Sequence, residues 1–190
     1  MSIGDSEIKT QERVIRFFKD PEILGYQYIG NLSDYQNKNI KEDRLRQYLR
    51  LKGYADNLID GAITQLQQEA GNLSRGLYDA NKTVYSRLKY GIPVSESPEK
   101  PPVTVQLIDE ENPLNNDFAI AEEVTVVEQS EKRPDLVVYL NGIAVAVIEL
   151  KRSSVSVSEG IRQNLTNQKN SFIQGFFSTM QFCMAGNESE

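Results

Sequence analysis

The chain has 190 residues, 39 % hydrophobic and 25 % charged, with a formal net charge of −6, one cysteine (Cys183) and no histidine. That composition excludes Ser-His-Asp and Cys-His catalysis, histidine metal ligands, internal disulfides and Cys-rich zinc sites. No run approaches the roughly 18 apolar residues of a membrane span, and MSIGDSEIKT lacks the layout of a signal peptide, so a cytoplasmic chain built around one core is expected.

Apolar residues at 8, 14, 15, 17 and 18 fall at helical spacing and predict a helix from Ser6 to Lys19, capped by Ser6 or Thr10 and ended by Pro21 and Gly25. Residues 42–70, carrying Leu45, Leu49, Tyr54, Leu58, Ile59, Ile63 and Leu66, read as two helices broken near Gly53. Residues 72–90 read as a further helix that stops before Gly91–Pro93, and SESPEKPP at 95–102 as a surface connection. VTVQLID at 103–109 and AIAEEVTVV at 119–127 then alternate like strands. DLVVYL, Asn141-Gly142 and IAVAVIEL form a hairpin over 135–150. Ser156 with Glu159 is a capping box that opens a helix to about Ser171, and TMQFCMA at 179–185 reads as a last strand, with Cys183 a small buried hydrophobe. Helices followed by strands with one embedded helix predict an α/β (α+β) fold with a mixed sheet flanked by helices.

Charge is unevenly spread. Residues 96–131 carry one Lys and ten acids, whereas 132–187 carry six Lys/Arg and only three acids, Asp135, Glu149 and Glu159. A basic, phosphate-facing surface is therefore compatible with the acidic total. Within that segment, Arg133-Pro134-Asp135 is followed after thirteen residues by Glu149-Leu150-Lys151. Glu149 and Lys151 are two apart on a strand and share a face, with Leu150 turned into a core. A regular two-residue turn at Asn141-Gly142 would set Asp135 opposite Ile148, on the other face from Glu149; an odd loop or a bulge would bring the two acids together. Two such carboxylates repel each other unless a cation lies between them, and Mg²⁺ meets that need with oxygen ligands. With Lys151 to orient or activate a water and offset charge on a phosphate, the set suits phosphodiester hydrolysis.

Asp135…Glu149-x-Lys151 on a hairpin followed by a helix resembles the PD-(D/E)xK nuclease superfamily. Within it, the chain resembles the N-terminal endonuclease domain of the restriction (R) subunit of type I restriction-modification enzymes. LIDEENPLNNDF, RPDLVVYLNGIAVAVIELKRSS and MAGNES carry the likeness over about 90 residues; the first 100 share only helical character. The resemblance implies a restriction-endonuclease-like fold, with 1–100 as its N-terminal helical part and 101–190 as the catalytic core. It implies Mg²⁺-dependent (or Mn²⁺-dependent) hydrolysis of double-stranded DNA without sequence specificity of its own. Asp135 and Glu149 become metal ligands, joined by the Leu150 carbonyl, with Lys151 as the motif lysine. Gln163 matches the Gln of a Gln-x-x-x-Tyr motif whose Tyr position holds Asn167, a departure. An acid on the first helix often lies near the metal; Glu12, about 40° from Ile8 on the helical wheel, is the candidate.

Arg152, Arg162 and Lys169 surround the motif, and with Lys132 and Arg133 they are the expected phosphate contacts. No Gly-x-x-x-x-Gly-Lys-Ser/Thr occurs in the chain. By resemblance, ATP-driven translocation belongs to motor domains that follow the nuclease part, so the chain reads as a fragment of a longer subunit, working with methyltransferase (M) and specificity (S) subunits in a bacterial or archaeal cytoplasm. Two other readings stay open: a nuclease of the same superfamily with a repair or RNA task, and a docking module without chemistry.

Overall fold

A computed structural model describes residues 5–96 and 99–187. Five helices are present among them: α1 Asp5–Lys19, α2 Glu42–Leu51, α3 Asp56–Gly71, α4 Leu77–Tyr90 and α5 Val157–Asn167. The strands of the central sheet are β1 Gln27–Asn31, β4 Phe118–Glu122, β7 Leu136–Leu140, β8 Ile143–Leu150 and β9 Phe182–Gly186, in the spatial order β1-β4-β7-β8-β9. β1 runs parallel to β4 and β9 parallel to β8, while β7 is antiparallel to both its neighbours, β4 and β8, so the sheet is mixed, as the element order requires. Two small ladders lie outside it, β2 Ile92–Val94 with β3 Val103–Val105, and β5 Val126–Val127 with β6 Glu131–Lys132.

Each sheet face is covered because strand residues alternate between two apolar clusters. Leu136, Val138, Ala146, Ile148 and Leu150 pack with Ile120 against Ile15 of α1. Val137, Tyr139, Ala144 and Val147 meet Ile173, Phe176, Phe177 and Met180 from the segment around a 3₁₀ turn, Gln174–Thr179. A third cluster holds α2, α3 and α4 together over Ile92, Val105, Leu107 and Ile143. Among the described residues, no helix is long and apolar enough to cross a membrane.

The differences from the expected elements have local causes. α1 begins at Asp5, which leaves Thr10 buried inside the helix rather than capping it; the side chain of Ser6 lies outside the described residues, as does the end of the MAGNES segment from 188 on. α4 starts at Leu77, after Gly76, and not at 72. The strand over 119–127 is broken into β4 and β5 by Glu123, whose φ of 50° is left-handed and cannot continue a ladder. VTVQLID yields only the short β3. The sheet also draws on both sides of residue 100, because β1, inside the stretch read as helical, pairs with β4. Cys183 is exposed, not buried, because β9 is the sheet's edge.

The hairpin turn shows how tightly the sheet is joined to the helices. Asn141 is fully buried with φ 53°, its side chain accepting from Asp117 N–H at 2.7 Å and donating to Leu107 C=O and Asn116 Oδ1 at 2.8 Å each. Gly142 has φ 83°, and a Cβ there would sit 2.7 Å from Lys41 C=O and 2.8 Å from Leu45 N. Only glycine lets α2 approach that closely.

Candidate active site

The register of β7 with β8 decides whether a site exists. Next to the turn, Leu140 faces Ile143 and Tyr139 faces Ala144; beyond Val145 the pairing shifts by one, so that Val138 faces Ala146, Val137 faces Val147 and Leu136 faces Ile148. Val145 is therefore an extra residue on β8, a β-bulge. The register that follows sets Asp135 opposite Glu149. The irregularity that the two acids need in order to meet is present, inside the strand rather than in the turn.

Asp135, Glu149 and Lys151 converge at the end of this hairpin. The Leu150 N–H donates to Asp135 Oδ2 at 2.6 Å, fixing that carboxylate against β8. Gln163 Nε2 on α5 donates to Glu149 Oε2 at 2.7 Å. Lys151 Nζ donates to the Leu150 carbonyl at 2.9 Å. Glu149 is 0 % exposed, and its Oε1 is buried without a hydrogen-bond partner. Burial, and then the Asp135 carboxyl beside it, push Glu149 up to about 8, against the pull of Lys151. Burial likewise raises Asp135 above the usual carboxylate range, opposed by the Leu150 N–H and Lys151. The Asp135 carboxyl is close enough to raise the proton affinity of Glu149, and two ionised carboxylates so placed repel each other unless a proton or a cation lies between them.

Gln163 reaches Glu149 because α5 lies close on the sheet. Ser156 caps the helix by accepting from Ser158 N–H at 3.3 Å. Gly160 is the contact point: a Cβ built there would lie 3.0 Å from Ala185 Cβ and 3.6 Å from Glu149 Cβ. Gln163 is thus half-buried at the site, although on a Gln- and Asn-rich helix it could equally have faced solvent. Asn167, one turn further, is buried.

A cleft of about 420 Å³ opens beside these residues, lined by Lys132, Lys151, Glu159, Arg162, Gln163, Thr166 and Asn167. Arg162 is exposed there and ion-paired with Glu159. Lys132 Nζ sits 4.7 Å from the centre of the Phe172 ring. Arg152 and Lys169 are exposed but do not line this cleft.

Glu12 is not brought to the carboxylates. It is exposed and faces a separate groove with Arg16, Lys19, Tyr28 and Glu122. The α1 acid whose charge acts on Asp135 is Glu7, and Glu123 acts on both Asp135 and Glu149. Glu7 was missed because periodicity reports which way a helical residue points and not how far along the axis the site lies. Glu123 carried no signal beyond its place between two strand-like runs.

Among the described residues, no group of three or more Asp, Glu, Cys or His side chains is arranged to hold a metal. The donors that meet at the hairpin end are two carboxylates and the Leu150 carbonyl. They are all oxygens, they carry an orphaned buried Glu149 Oε1, and their mutual repulsion is relieved by positive charge. This set fits a small hard divalent cation.

Fold and hairpin together define a mixed α/β domain with two buried carboxylates and a lysine at the end of a strand pair. The chain matches the family model for the type I restriction enzyme R protein N terminus over residues 6–190, and it belongs to that family of restriction endonuclease subunits. It is 34 % identical over 96 residues to a protein of Methanocaldococcus jannaschii described as a putative type I restriction enzyme MjaIXP endonuclease subunit. The match covers 46 % of this chain and 9 % of that relative, so the chain spans a small part of the relative's length.

Proposed function

We propose that this chain is the Mg²⁺-dependent nuclease domain of a type I restriction-modification R subunit, and that it hydrolyses phosphodiester bonds of double-stranded DNA without reading sequence. The observation that carries this reading is the Val145 bulge, which sets Asp135 opposite Glu149 and leaves a buried Glu149 oxygen without a donor. Asp135, Glu149 and the Leu150 carbonyl would hold Mg²⁺, or Mn²⁺ in its place. A divalent cation bound there supplies Lewis acidity to the scissile phosphate and lowers the pKa of a water.

The chain's own groups do the rest. The Leu150 N–H holds Asp135, and the Gln163 amide holds Glu149, so both carboxylates keep their orientation. Lys151, on the rim of the cleft, orients the attacking water and offsets the charge that grows on the phosphate. Lys132 and Arg162 line the same cleft and take DNA phosphates, with Arg152 and Lys169 further out. Contacts of this kind position the duplex and carry no base identity. In the full enzyme, ATP-driven translocation by motor domains outside this chain and target recognition with M and S subunits would precede cutting. The test is the assembled enzyme with Lys151→Ala: ATP hydrolysis continues while cutting of a plasmid bearing the target stops. Cutting at the wild-type rate would overturn the assignment.

A further inference from the structure

The segment that leads into Asp135 contains an arginine, Arg133, two residues before it. Two buried carboxylates that repel each other are an obvious destination for a nearby guanidinium, which binds carboxylates in a bidentate fork. An arginine seated there would neutralise the pair and compete with any metal. Arg133 is instead tied elsewhere: its Nε lies 2.8 Å from Glu123 Oε2. The cation acting most strongly on Asp135 and Glu149 is Lys151.

Glu123 is held for this contact at a cost. It is one of two described non-glycine residues with positive φ, at 50°, a conformation that L side chains avoid. The bend is fixed from several sides. Glu123 N–H donates to Asp135 C=O at 2.8 Å, and Val124 N–H to Pro134 C=O at 3.0 Å. Gln11 of α1, itself buried, donates to Glu123 Oε1 at 3.3 Å and to Glu122 Oε2 at 2.9 Å. A glycine would satisfy the backbone without strain, so the carboxylate itself asks for an explanation.

We propose that Glu123 is a positioning residue that holds the Arg133 guanidinium off Asp135 and Glu149 and so keeps that pair open to a divalent cation. The proposal rests on the reading of Asp135 and Glu149 as metal ligands. It makes Glu123 a decoy partner for Arg133, acting on the metal site through another side chain.

The test is a Mg²⁺ titration of the 190-residue chain followed by thermal unfolding, with wild type, Glu123→Gln, Glu123→Gly, Arg133→Ala and the Glu123→Gln/Arg133→Ala double variant. Glu123→Gly removes the backbone strain and guards against a variant that fails to fold. Both Glu123 variants should need about tenfold more Mg²⁺ for the half-maximal rise in Tm, about the weight of one lost charge-assisted contact, with no loss of Tm in the absence of metal. Arg133→Ala alone should titrate within about twofold of wild type, and the double variant should regain the wild-type response. Glu123 variants that titrate like wild type, or a double variant as weak as Glu123→Gln, would overturn the proposal while leaving the metal reading intact. A wild type that shows no Mg²⁺-dependent rise overturns the metal reading and this proposal with it.

Discussion

Asp135 faces Glu149 because β8 carries one residue, Val145, more than its partner strand can pair. Regular pairing from Asn141-Gly142 would have matched Asp135 with Ile148 and sent the two acids to opposite faces of the sheet. The bulge thus converts a plain edge of charged residues into two carboxylates that must share a proton or a cation.

The first consequence is a pH dependence of folding. Glu149 has an ordinary pKa of 4.5 that is raised to about 8 in the folded chain, so the folded state holds the proton more tightly than the unfolded one. The stability that this group contributes is fully present below about pH 4.5 and is lost as pH rises through about 8. Asp135 is shifted in the same direction. Without divalent metal, urea unfolding should therefore show stability falling between pH 5 and pH 8.5, by on the order of a few kcal/mol. Glu149→Gln should flatten that slope and be the more stable protein at pH 8.5. Asp109, lowered to about 2 by Lys52 and by donors from Asn112 and Asn115, contributes its stability across this window and loses it only in acid.

Gln163 is the α5 side chain seen to hold the buried Glu149. Gln163→Ala should lower the cutting rate by roughly 10- to 100-fold, the usual cost of removing a group that orients a metal ligand, with little change in DNA affinity. Rates measured against Mg²⁺ concentration check this; an unchanged rate would return Gln163 to the solvent-facing role that its polar helix suggests.

Asn141 should be the costliest polar residue of the hairpin to replace. Asn141→Ala loses three buried hydrogen bonds and keeps a left-handed φ, and should destabilise the chain by roughly 2–4 kcal/mol. Asn141→Gly loses the same bonds without the backbone penalty and should recover about 1 kcal/mol of that. Denaturant unfolding of the two variants separates the terms.

Much of this was legible in the residues. Alternation and the Asn-Gly turn marked β7 and β8, the Ser156–Glu159 box marked the start of α5, and the Asp…Glu-x-Lys spacing marked the three charged residues that meet at the hairpin end. The register could be reasoned to need an irregularity, but Val145 looks like any other strand valine, and only packing selects where a bulge falls. β1 escaped notice because QYIGN is short, with only Tyr28 and Ile29 to suggest a strand, and it is stabilised by pairing with β4, about ninety residues away in the chain. The α1 acid near Asp135 was misplaced for a similar reason: Glu12 and Glu7 are equally polar positions, and their distance from Asp135 is set by how α1 lies across the sheet. Glu123 is a tertiary feature altogether, since its left-handed bend exists only where Asp135, Gln11 and Arg133 meet it.

The most direct measurement is Mn²⁺ binding to the chain, followed by the loss of the free-ion electron paramagnetic resonance signal, for wild type, Asp135→Ala and Glu149→Gln. The account predicts that wild type takes up Mn²⁺, that Mg²⁺ displaces it, and that neither variant binds. Uptake by Asp135→Ala as tight as by wild type, or no uptake by wild type, would contradict it.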